Sequence, residues 1–203
     1  QGLAHLLEHM AFNGSKNFPK RSIDEFMSSI GLNIGTHYNA TTGFFTTNYE
    51  YEIPTNDPKN LETVIKIFAD ILKNLSLEDD AFERERKIVE EEWRGDIGAE
   101  KKYSEAFYKV THKDSLLEKR LPIGKIEVIR NFKYQDVKEF YEKWYQPEIT
   151  ALFVAGDVDT NKIIKLIEDN FSSFKNSAEL DIPDYSIPDF NNNRFISYQD
   201  KDF

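Results

Sequence analysis

The sequence has 203 residues, long enough for one domain with a substantial core. Its 26 basic and 36 acidic side chains give a formal net charge of −10 with no basic block, which argues against a nucleic-acid partner. Cysteine is absent, so disulfides, thiolate catalysis and Cys-ligated zinc are excluded, any metal must be held by His and carboxylates, and the compartment stays open.

Helical patterning starts almost at Gln1, with no signal-peptide pattern before it, so a preceding segment is expected to have been removed. Residues 3–12 read as helix, and residues 22–30 as a second, capped by Ser22 and ended by Gly31. Residues 33–39 read as a strand. Phe45, Thr47, Tyr49, Tyr51 and Ile53 alternate with polar residues, the period of a half-buried strand antiparallel to its neighbour. Asp57-Pro58 is an N-cap followed by proline, and Leu61, Val64, Ile65, Phe68, Ile71, Leu72 and Leu75 continue a helical stripe. Ser76, with Asp79, is expected to open a long helix through Trp93, with room to extend to Val110 across Gly95 and Gly98. Val137, Phe140, Tyr141 and Trp144 mark another helix.

Residues 149–155 are β-rich and form the longest apolar run, far below the roughly 18–20 residues of a membrane span. Asp159 or Thr160 then caps a helix bearing Ile163, Ile164, Ile167 and Phe171. The fold class is α+β, a mostly antiparallel sheet covered by helices. A domain over 1–174, a linker over 175–193 and the start of a truncated following domain over 194–203 are expected.

Chemistry concentrates in His5-Leu6-Leu7-Glu8-His9. At about 100° per residue from Leu3, His5, Glu8, His9 and Phe12 fall at roughly 140–240°, opposite Leu3, Leu6, Leu7, Met10 and Ala11. The leucine face packs and the histidine face is presented. Two imidazoles one turn apart can supply two of the four positions around zinc, and a third ligand must come from elsewhere. The plainer reading is a polar face with solvated or structurally bonded histidines. In the charged run 83–93, the same projection puts Glu85 and Glu92 inside the apolar arc of Phe82, Ile88, Val89 and Trp93. Carboxylates there need an electropositive partner. Zinc facing His5 and His9 would supply one, and so would ion pairs to Arg86 or another helix.

His5-x-x-Glu8-His9 matches the inverted zinc motif of the inverzincins. The chain resembles the pitrilysin and insulin-degrading-enzyme family, which includes the mitochondrial processing peptidases. The likeness extends through His9-Met10-Ala11-Phe12-Asn13-Gly14, Tyr38-Asn39-Ala40, the run 85–92, Leu121-Pro122-Ile123-Gly124, Trp144-Tyr145-Gln146-Pro147 and Val154-Ala155-Gly156-Asp157. Glu91-Glu92-Trp93-Arg94 looks closest to a bacterial branch whose members are labelled probable zinc proteases.

The resemblance implies a zinc-dependent metalloendopeptidase with Zn2+ held by His5, His9 and Glu92, and Glu85 behind the ligands. Glu8 would take the proton from a water that zinc acidifies. An extended peptide would add to the sheet edge near Asn39 and Ala40. Asn39 reads equally well as a turn residue before Thr41-Thr42-Gly43. The resemblance also implies a homologous second half of the parent chain, and a strand ahead of Gln1. The alternatives are a non-catalytic scaffold or partner domain of the same fold, or a structural zinc module, which should show four protein ligands. His37 and His112 read as structural.

Overall fold

The computed structural model describes residues 1–176 and 180–199. Helix α1 (Leu3–Met10) is followed by α2 (Ser22–Ser29), an antiparallel hairpin of β1 (Tyr38–Thr42) and β2 (Thr47–Tyr51), and then α3 (Pro58–Lys73), α4 (Asp79–Gly95), α5 (Ala99–Thr111), α6 (Ile126–Asn131), α7 (Tyr134–Trp144) and α8 (Thr160–Phe171). Short 3₁₀ turns lie at Leu117–Lys119 and Pro147–Ile149. Helix and strand are mixed as expected, but a mostly antiparallel sheet is not found: among the described residues the sheet has two strands.

The shortfall has a local cause. Residues 151–155 carry the composition of a strand but pair with nothing among the described residues. A strand closes its hydrogen bonds only on a neighbour. Of the segment expected as a strand over 33–39, only Tyr38 and Asn39 lie in β1, and the residues before them turn. Gly35 takes φ 80, the Gly35 N–H donates to the Tyr38 carbonyl at 2.8 Å, and the Asn33 N–H donates to His37 Nδ1 at 3.2 Å. Pairing then runs from Tyr38↔Tyr51 through Ala40↔Tyr49 to Thr42↔Thr47.

Helix starts and stops follow their chemistry. The Asp57 side chain accepts from the Lys59 N–H and Asp159 from those of Asn161 and Lys162, so two expected caps are present. Ser22 is the first helical residue rather than a cap, and its buried hydroxyl has no partner among the described residues. Ser76 does not cap α4, because Leu77 sits at φ 45 and the cap position falls on Glu78. The long helix also stops at Gly95: Asp96 and Ile97 turn, and Gly98 restarts the chain as the cap of α5.

Leu6, Leu7, Met10, Ala11, Ile23, Met27, Ile67, Phe82, Val89, Ile129 and Val137 form the centre of the core. Helix α1 lies in the middle, against the hairpin, α4 and α7. No helix of the described residues is long and apolar enough to cross a membrane. Residues 180–199 hold no helix or strand, and they include 194–199 of the expected following domain. Residues 177–179 of the expected linker and 200–203 of the expected following domain lie outside the described residues.

Candidate metal centre

On the leucine face of α1, Leu6, Leu7, Met10 and Ala11 are buried and Leu3 is half-buried, and this fixes the rotation of the opposite face. His5 and His9 therefore point along one side, ring centroids 4.8 Å apart and nearly perpendicular. Helix α4 packs beside α1 through Phe82 and Val89, which brings Glu85 and Glu92 to the same side. Glu92 Oε2 lies 3.7 Å from His5 Nε2 and 3.5 Å from His9 Nε2. One donor atom from each of the three residues falls within 4.8 Å of the others. Two donors on one tetrahedral zinc stand roughly 3.3–3.5 Å apart, so the Glu92 oxygen is within a few tenths of an ångström of a ligand's place, while the widest pair of donors must close by about an ångström to seat an ion. The donor set, two imidazoles and one carboxylate, suits zinc.

Glu85 Oε2 lies 3.4 Å from His9 Nδ1. That contact favours a proton on Nδ1 and leaves the Nε2 lone pair facing Glu92. Of the two acids expected in the buried arc, only Glu85 is buried; the Glu92 side chain is 44% exposed. Core contact along α4 continues through Val89 to Trp93, but Glu92 lies toward one edge of the buried arc, and that edge opens onto a groove. Ile88, placed in the same arc, is also exposed there. The expected ion pair to Arg86 does not form with either acid: Arg86 bonds Glu83 and the Arg130 carbonyl.

Glu8 lies on the histidine side but is buried, and the Thr42 hydroxyl donates to its Oε2. Burial raises its pKa, against the Thr42 hydrogen bond and His9, with Glu92 adding to the rise. Burial and the neighbouring His9 push His5 down to about 4, which keeps its imidazole neutral. Burial also pulls His9 down, but bonding to Glu85 and the charges of Glu92, Glu85 and Glu8 outweigh it and leave His9 raised.

Asn39 and Ala40 lie in β1, and both line the groove of about 1070 Å³ that holds His5, Glu8, His9 and Glu92. Asn39 is exposed and sits in a strand rather than in a turn. His37 and His112 lie outside the three-donor group: His37 accepts in the turn before β1, and His112 meets the Thr111 hydroxyl and stacks on Phe44. Thr42 was missed by the sequence reading, although it continues the inward alternation of Tyr38 and Ala40 that the strand boundary had cut off. A buried pair of phenols, Tyr49 and Tyr145 at 2.7 Å, was missed as well; burial raises Tyr145 to about 12.

The family model described as "Insulinase (Peptidase family M16)" matches residues 1–122, and "Peptidase M16 inactive domain" matches residues 131–202. The chain belongs to peptidase family M16. It is 30% identical over 203 residues to a probable zinc protease PqqL of Haemophilus influenzae, covering 99% of this chain and 22% of the relative. It is 32% identical over 184 residues to the zinc protease PqqE of Helicobacter pylori, covering 90% and 40%. The crystal structure of the periplasmic protease PqqL from Escherichia coli superposes with a TM-score of 0.86 at 30% identity, covering 92% of this chain and 21% of that one. The ferredoxin protease FusC, solved as an E83A mutant with Arabidopsis ferredoxin, superposes at 0.84 with 28% identity, covering 93% and 21%. The chain thus spans between about a fifth and two fifths of the length of these proteins.

Proposed function

We propose that this chain carries the zinc centre of a metalloendopeptidase that hydrolyses peptides in extended form. The observation that carries the reading is the convergence of His5, His9 and Glu92 from two helices, with Glu8 between the histidines. His5, His9 and Glu92 are the ligands, and Glu85 holds His9 in the tautomer that presents Nε2. The chemistry supplied by a bound zinc ion is Lewis acidity, which acidifies water and polarises a carbonyl.

Glu8 is the general base. Thr42 fixes one of its oxygens, so the other is the one available to the attacking water, whose proton Glu8 accepts and later returns to the leaving amine. Its upward-shifted pKa brings the carboxylate nearer to the range in which it can both take and give a proton. The substrate backbone lies along β1, on the edge opposite β2, where Asn39 and Ala40 face the groove. A homologous second half of a longer protein completes the substrate chamber. A structural zinc module would call for a fourth protein ligand, and the described residues bring three together.

The test is stoichiometric metal analysis on the full-length protein beside Glu92→Ala, coupled to cleavage of a quenched peptide. About one zinc per chain is expected in the wild type, with metal and cleavage lost together in the variant. A variant that keeps both would remove Glu92 from the ligand set.

A further inference from the structure

The two helices of the metal centre are also tied together outside the three donors. Asn13, in the turn after α1, donates from Nδ2 to the His9 carbonyl at 3.1 Å. Its Oδ1 accepts from Nη2 of Arg84 in α4 at 2.9 Å. Arg84 Nε lies 3.8 Å from Glu85 Oε1, while Glu85 Oε2 faces His9 Nδ1 at 3.4 Å. The contacts close a ring through the His9 ring, Glu85, Arg84, Asn13 and the His9 backbone. Arg84 Nη1 also lies 3.7 Å from Asp80 Oδ2 one turn back; the guanidinium is half-exposed, and of these three contacts the bond to Asn13 is the one at hydrogen-bond distance.

Asn13 has little freedom to follow α4 if the link is cut. Gly14 next to it has φ +130, and a Cβ there would stand 2.6 Å from the Lys20 nitrogen. Asp70 of α3, fully inside, accepts from Ser15 Oγ at 2.6 Å and from Asn17 N and Nδ2 at 2.8 Å each. The turn is therefore anchored to α3, and the Arg84–Asn13 bond sets α4 against a fixed point.

We infer that Arg84 and Asn13 are positioning residues that set the spacing of α1 and α4 at His9 and so raise the affinity of the three-donor set for a divalent cation. The inference rests on the ligand assignment proposed above. Its sign is distinctive. Arg84 is a cation near the donors, so by Coulomb's law alone its removal should tighten binding of a dication. A positioning role requires the opposite, and outer partners of ligating histidines are typically worth about 10–100-fold in metal affinity.

Zinc dissociation constants measured by chelator competition on the full-length protein test this, using wild type, Arg84→Ala, Asn13→Ala, the double variant, Arg84→Lys and Glu92→Ala. Each alanine variant should weaken zinc about 10-fold, and the double variant should be no weaker than the weaker single, since either change cuts the same link. Arg84→Lys keeps the charge without the fork and should weaken zinc comparably. Tighter or unchanged binding in Arg84→Ala, multiplying effects in the double variant, or wild-type affinity in Arg84→Lys would each overturn the inference while Glu92→Ala still loses zinc. A wild type that binds no zinc, or a Glu92→Ala variant that binds normally, overturns the ligand assignment and this inference with it.

Discussion

Helix α1 and the segment after α7 are both apolar enough to read as ordered elements, yet they end in opposite states. Leu6, Leu7 and Met10 of α1 are fully buried, whereas Phe153 is 89% exposed and Ile149 and Val154 are also exposed. A helix satisfies its own backbone and needs only something apolar to lie against. A β-rich run satisfies nothing until another strand arrives. The proposed metal centre sits on the first kind of element, so its three donors, from two helices far apart in sequence, are held by helix packing.

The comparison breaks most sharply at Glu8. If the helix pair preassembles the centre, then Glu8→Gln, close to isosteric, should leave zinc content unchanged and lower kcat for a quenched peptide in the full-length protein by about 10²–10⁴-fold. Zinc retained with undiminished turnover would take Glu8 out of the chemistry. Packing is the next point of attack. Leu7→Ala in α1 should cost about 2–5 kcal/mol, read from the urea midpoint of the 203-residue chain, because the residue is completely enclosed and its neighbours cannot all collapse. A loss below about 1 kcal/mol would mean that α1 is not held by the face assigned to it. Smaller again, Asp57→Ala should cost about 1 kcal/mol by orphaning the Lys59 N–H at the start of α3.

What the sequence made legible follows the same division. The rotation of α1, the caps at Asp57 and Asp159, and the burial of Glu85 were all readable, because each depends on residues within one or two turns. The exposure of Glu92 was not, since a helical wheel cannot tell how wide a stripe the neighbouring elements cover: Trp93 packs on the core while Glu92, beside it in the chain, faces the groove. Thr42 was lost because the turn at Gly35 delays β1, and strand boundaries depend on the partner: Thr42 pairs with Thr47 across the hairpin. The meeting of His9 with Glu92 was suggested by family resemblance and not by periodicity, which carries no information between two separate helices.

Phe153 offers the smallest effect and the cleanest contrast with Leu7. A ring that is 89% exposed gives up almost no buried area when truncated, so Phe153→Ala should move the unfolding free energy of the 203-residue chain by less than about 0.5 kcal/mol, with the urea m-value unchanged. The m-value matters because it reports the surface opened on unfolding, and an unpaired segment adds little to it. In the 203-residue chain by itself the unpaired run 151–155 is expected to pair between molecules, so Phe153→Lys should reduce concentration-dependent aggregation of that chain without altering the midpoint. A destabilisation above about 1 kcal/mol in Phe153→Ala would show that the segment packs after all. It would then belong with the helices rather than against them, and the contrast that separates self-satisfied from partner-dependent elements would have to be drawn elsewhere in the chain.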